Sequence, residues 1–165
     1  MNFKVLIPSF FILHSSFFIL HAAAPSPLAT AYATLETNAV EALPLFQSIV
    51  NGTPQSVEAL LGLGQCLLAA QQNVSAETAY RNALLHSTTP EMRRAARVGL
   101  VHSFVATKKY AEAETTLAEL ISDHPEEALL RRIQGQVRNA QGNTLGARIS
   151  FECARRLEDQ HGNQL

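Results

Sequence analysis

The sequence predicts an all-α chain in which about four antiparallel helix pairs stack in a row, and three observations carry that reading. Sliding the chain by 34 residues places Ala42 and Phe46 on Ala76 and Tyr80, and Ala113 and Leu117 on Ala147 and Phe151. Three residues beyond each large residue stands Ile49, Ala83, Leu120 or Ala154, so one frame, small-x-x-x-large-x-x-apolar, occurs four times. Turn-forming residues separate the copies where a fixed-period array needs them.

The frame follows from close helix packing. A small residue lets a neighbouring helix backbone approach, and a large residue one turn later fills the space beside it. Each short pair buries its apolar stripe only when stacked on the next.

Residues 1–24 stand apart from this pattern. Lys4 is their only Lys, Arg, Asp or Glu, followed by Val5-Leu6-Ile7, Phe10-Phe11-Ile12-Leu13 and Phe17-Phe18-Ile19-Leu20, and then by Ala22-Ala23-Ala24. A basic start, an apolar run and small residues are the order of a secretory leader. Pro25 hinders cleavage after the alanines, which makes Ala29-Thr30-Ala31 an equal candidate site. Pro8, His14, Ser15, Ser16 and His21 interrupt the run, which is too broken for a clean membrane span of about 20 apolar residues. Ser9–His14 also recurs verbatim as Ser16–His21. Two readings therefore stand: a signal peptide or membrane anchor, or a translated repeat upstream of a later start. The first makes the product periplasmic, secreted or membrane-tethered; the second leaves it cytoplasmic.

The repeat region is expected over residues 28–159, with a short polar tail at 160–165. The first unit has a weak opening helix around Leu28 to Glu36, and Pro44 lies inside its second. In the second unit Leu60, Leu63, Gly64 and Leu67 form the partner stripe; in the third, Leu100, Val101 and Phe104; in the fourth, Leu130, Ile133 and Val137, with Gly135 at the close-approach position. Gln72-Asn73, Lys108-Lys109 and Gly142-Asn143 break each pair internally. Gly52-Thr53-Pro54, Pro90 and Asp123-His124-Pro125 separate pair from pair. The second and third copies are 37 apart, and the three extra residues are expected in the turn His86-Ser87-Thr88-Thr89-Pro90.

These residues resemble the tetratricopeptide repeat (TPR) family, which has a 34-residue period, a Leu-Gly in its first helix and a small-x-x-x-aromatic-x-x-Ala second helix. The matching positions are Leu63-Gly64, Ala76, Tyr80 and Ala83, and later Gly142, Ala147, Phe151 and Ala154. The pattern departs from the family at Leu60, Arg97 and Arg131, where an early aromatic is usual, and at Val101, where a glycine is. The resemblance implies a right-handed superhelical solenoid whose first helices line a concave face. Carried onto this sequence, the groove residues are Glu58, Leu61, Gln65 and Leu68, then Val98, His102 and Val105, then Arg132, Gln136 and Asn139. The implied ligand is a protein or peptide with hydrophobic side chains and one acidic group near Arg132. Family members that clamp a terminal carboxylate use Lys, Arg and Asn at several of these points. Glu58, Leu61 and Val98 replace that set here, so a chaperone-tail clamp is not implied.

Composition narrows the function further. The chain is 47% hydrophobic, with 13 Lys and Arg against 14 Asp and Glu, so it lacks the clustered positive excess that binding nucleic acid requires. Cys66 and Cys153 are too few and too far apart for a disulfide framework or a zinc site, and both are expected as small apolar fillers. The motifs of metalloproteases, serine hydrolases and phosphate-binding loops are missing from the sequence, and no cofactor is expected. Arg93, Arg94, Arg97, Arg131, Arg132 and Arg138 sit on the opening helices of the last two units, with Glu112, Glu114, Glu119, Glu126 and Glu127 nearby. An ion-paired surface and an acidic-partner patch are the two readings of that arrangement. Two functions follow: a non-catalytic interaction adaptor, or a structural unit that self-assembles through its end helices, with Ile149 and Phe151 exposed because only Asp159 to Leu165 follows.

Overall fold

The computed structural model describes residues 25–162, with side chains through residue 160. Both leader readings concern residues outside it. Among the described residues eight helices run in order: α1 (Pro27–Thr37), α2 (Ala39–Gly52), α3 (Val57–Ala69), α4 (Asn73–His86), α5 (Pro90–Ala106), α6 (Tyr110–Asp123), α7 (Ala128–Ala140) and α8 (Thr144–Gly162). Each packs mainly on its neighbours in sequence, which is the layout of a solenoid.

The first helix of each early unit begins on a hydroxyl cap. Ser26 Oγ accepts from the Ala29 amide, Ser56 Oγ from Ala59, and Thr89 Oγ1 from Met92. Each oxygen satisfies an amide that has no partner inside the helix. Pro27 and Pro90 follow two of these caps at the first helical position, where proline's fixed φ suits the helix and its missing N–H costs nothing.

That chemistry corrects the placement of the three extra residues. They do not lengthen the turn after α4; they form an added N-terminal turn of α5, which has 17 residues where α3 and α7 have 13. Thr89 and Pro90 start the helix early, and the added turn carries Arg93. Pro44 is accommodated inside α2 without ending it. At the C-terminus α8 runs on to Gly162.

The first helices of units two to four end in one recurring turn. Gln72, Lys109 and Asn143 donate their amides back to the carbonyls of Leu67, Phe104 and Arg138, while Gln71, Lys108 and Gly142 take positive φ of 59°, 61° and 82°. This double closure satisfies carbonyls at the helix end and suits glycine best.

The core alternates large and absent side chains. Phe46, Leu117, Ala42, Ala76 and Ala113 are fully buried, and Tyr80 is nearly so. A Cβ placed on Gly62 would come within 2.2 Å of the Phe46 ring, and one on Gly64 or Gly99 would strike Tyr80 from either side. Unit three uses a different division of volume. Its large residue is the smaller Leu117, and the positions matching Gly64 and Gly99 hold Val101 and Ile133, in the same buried cluster.

Candidate partner-binding face

The first helices of units one to three lie side by side, α1 against α3 and α3 against α5. Tyr32 of α1 fixes part of this inner layer. Its ring meets Phe46 edge-on at 5.0 Å between centroids, and its hydroxyl donates to the Glu58 carbonyl at 2.7 Å. Burial, and then the nearby Glu58 carboxylate, push its pKa up to about 12, so it stays a donor.

On this layer the side chains sort by polarity. Leu61, Leu68, Val98 and Val105 are partly buried and pack on the edge of the core, with the rest of their surface open. Glu58, Gln65 and His102 are exposed beside them. His102 has solvent contact, yet enough chain surrounds it that desolvation lowers its pKa below the usual histidine value. A side chain both exposed and closely surrounded fits a concave wall. The imidazole is therefore neutral at pH 7.

Helix α7 is joined differently. It packs extensively on α8, less so on α6, and has no contact with α5 to match that of α5 with α3. Arg132, Gln136 and Asn139 are exposed on it, so the structure gathers the α3 and α5 candidates more closely than those of α7. Arg132 is already engaged by Glu158 of α8. An incoming carboxylate would have to displace Glu158.

The other opening-helix arginines are also largely paired. Arg94 meets Glu127, Arg97 meets Asp123 at 3.3 Å, and Arg138 meets Glu114 at 3.4 Å. This is the ion-paired reading of the arginine set rather than an open acidic-partner patch. Arg94–Glu127 and Arg138–Glu114 link units three and four, where α6 and α7 share little packing, whereas Arg97–Asp123 ties α5 to α6 within unit three.

Several residues of the assembly were not singled out in the sequence. Glu77, almost buried on α4, accepts from Lys109 at 2.9 Å and from Arg81, whose guanidinium also lies 5.6 Å from the centre of the Phe104 ring. Gly62 and Gly99 receive the aromatic rings of the preceding unit; their spacing of 16 and 19 residues beyond Phe46 and Tyr80 is the signal that could have found them. The cysteines also differ from each other. Cys66 is the expected buried filler, with burial pushing its thiol up to about 11, whereas Cys153 is exposed on α8, with no further unit packed on it among the described residues.

Among the described residues no group of His, Cys, Asp and Glu is arranged to hold a metal ion, and no helix is long and apolar enough to cross a membrane. A layered row of helix pairs with an open inner face defines a helical-repeat solenoid. The chain belongs to the family of the tetratricopeptide repeat-like domain, which it matches over residues 23–165. No curated protein matches it in sequence. Solved structures share the fold, among them two titled MamA. One, titled MamA MSR-1 C2, aligns with a TM-score of 0.67 at 17% identity, covering 82% of this chain and 76% of that one. The other, titled MamA RS-1 ArsTM double mutant, gives 0.69 at 15% identity, covering 82% and 75%.

Proposed function

We propose that this chain is a non-catalytic adaptor that holds an extended segment of a protein partner against the first helices of units two and three. The TPR-like fold is that of a protein–protein interaction module. The observation that supports this site is the open apolar strip of Leu61, Leu68, Val98 and Val105, flanked by Glu58, Gln65 and His102. Core residues hold the strip in place, so little ordering is needed on binding. Partner side chains would bury apolar surface on the strip while polar neighbours set register. The leader supports export or tethering of the adaptor, which N-terminal sequencing of the native protein tests.

Affinity capture from the native cell tests the face. Val105→Glu should lose a partner that wild type retains, while Leu85→Glu, on the exposed side of α4, should keep it. Equal recovery by both variants would place the partner elsewhere.

A further inference from the structure

The two ends of the solenoid carry exposed counterparts of its internal junctions, with an arginine on one and a carboxylate on the other that are unpaired among the described residues, and we infer that they join, the C-terminal face of one copy receiving the N-terminal face of a second. The internal junctions supply the pattern. At the first two, the large residue of a second helix meets the first helix of the next unit: Phe46 lies on Gly62, and Tyr80 on Gly99. At the second and third, an ionic contact runs from the residue that follows the small alanine. Glu77, after Ala76, reaches Lys109, and Glu114, after Ala113, reaches Arg138. The carboxylate belongs to the earlier unit and the cation to the C-terminal end of the next unit's first helix or the turn beyond.

The fourth unit has the donor half of this junction and no fifth unit among the described residues. Phe151 rests on Gly135 of its own unit, but its far side is open, leaving it 40% exposed where Phe46 is 0% and Tyr80 is 3%. After Ala147 the carboxylate is replaced by Arg148, which has no ion-pair partner among the described residues. The neighbouring cation Arg155 is held by Glu152 and Asp159, and Arg156 by Glu152.

The first unit carries the matching receptor half. Leu28 occupies the position equivalent to Gly62, Gly99 and Ile133, and it is partly exposed. The positions equivalent to Arg138 and Lys109 are Ala33 and Asn38, and between them stands Glu36, the only charged residue of α1. It is exposed and has no ion-pair partner among the described residues. An arginine stands at one end where units two and three hold a carboxylate, and at the other end a carboxylate stands between the two positions that hold cations in units three and four. Stacking a second copy by the same step that relates the internal units brings Phe151 to Leu28 and Arg148 to the Ala33–Asn38 stretch, where Glu36 is the nearest charge. This contact is head-to-tail and leaves both outer ends free, so assembly is open and grows with concentration.

Sedimentation velocity of the full chain over a concentration series is the test. Wild type should gain mass with concentration. Arg148→Glu and Glu36→Arg, each alone, set like charges against one another and should remain monomeric; a one-to-one mixture of the two should assemble again, because each supplies the face the other lacks. Phe151→Ser should weaken assembly at least tenfold, and unchanged far-ultraviolet circular dichroism would show that it folds. A monomeric wild type at every concentration, association that ignores all three substitutions, or a mixture that stays monomeric would each overturn the proposal. Association through the leader or through the concave face would leave the masses of all variants alike, which separates it from this contact.

Discussion

The ring of Tyr80 fills the space that a side chain on Gly99 would need: a Cβ there would lie 2.2 Å from its Cε1. Tyr80 belongs to α4 and Gly99 to α5, so the contact joins the second unit to the third. Gly99→Ala should destabilise the protein by about 1–3 kcal/mol through overpacking. Tyr80→Leu should cost about 2 kcal/mol by opening a cavity. Together they approach the arrangement of unit three, where Leu117 goes with Val101 and Ile133. The double variant should therefore be more stable than the sum of the two losses implies, by about 1–2 kcal/mol in a denaturant double-mutant cycle. Simple additivity would contradict the volume exchange.

Gln71 and Lys108 take the left-handed conformation that Gly142 takes in the fourth unit. A side chain at such a φ costs about 1–2 kcal/mol, part of which glycine loses again as unfolded-chain entropy. Gln71→Gly and Lys108→Gly should each raise stability by about 0.5–1 kcal/mol, and Gly142→Ala should lower it by about the same amount. Urea unfolding midpoints will show the signs.

Desolvation opposes charge on Glu77, but hydrogen bonds from Lys109 and Arg81 outweigh it and lower its pKa below 4.5. A depressed folded-state pKa means that the ionised pair stabilises the fold above the unfolded value and is lost as pH falls through the folded one. Glu77→Gln should cost on the order of 1–2 kcal/mol at pH 7. The gap to wild type should close as pH drops below about 4.5 and through the lower folded value. A gap that stays constant across an acid titration of stability would argue against the pair.

Units three and four meet through Arg94–Glu127 and Arg138–Glu114, with limited packing of α6 on α7. Raising ionic strength from about 0.01 M to about 1 M shortens the screening length from about 30 Å to about 3 Å. Hydrogen exchange of α7 and α8 should speed up over that range while α3 and α4, tied by Tyr80 and its glycines, change little. Equal response in both regions would contradict an ionic junction.

The repeat frame made the fold legible because it uses residue size, which a fixed spacing reveals. Gly64 and Gly135 stood out for the same reason. Gly99 did not, since its partner Tyr80 lies in the previous unit and the added turn of α5 shifts the register. The turn was itself misplaced: Thr89-Pro90 looks like a break between units but acts as a helix start. The groove candidates came from positions alone. Nothing in the sequence said that Arg132 would be held by Glu158, because that pair depends on how far α8 runs, or that α7 would sit less closely against its neighbours than α3 and α5.

The central claim is that a partner segment lies against the first helices of units two and three. Photocrosslinking tests it most directly, with benzoyl-phenylalanine placed at His102 in one protein and at Leu85 in another, each irradiated in native cells. The account expects a single extended partner peptide to be recovered from position 102 by mass spectrometry and none from position 85. Recovery of the same peptide from position 85, with nothing at 102, would contradict it.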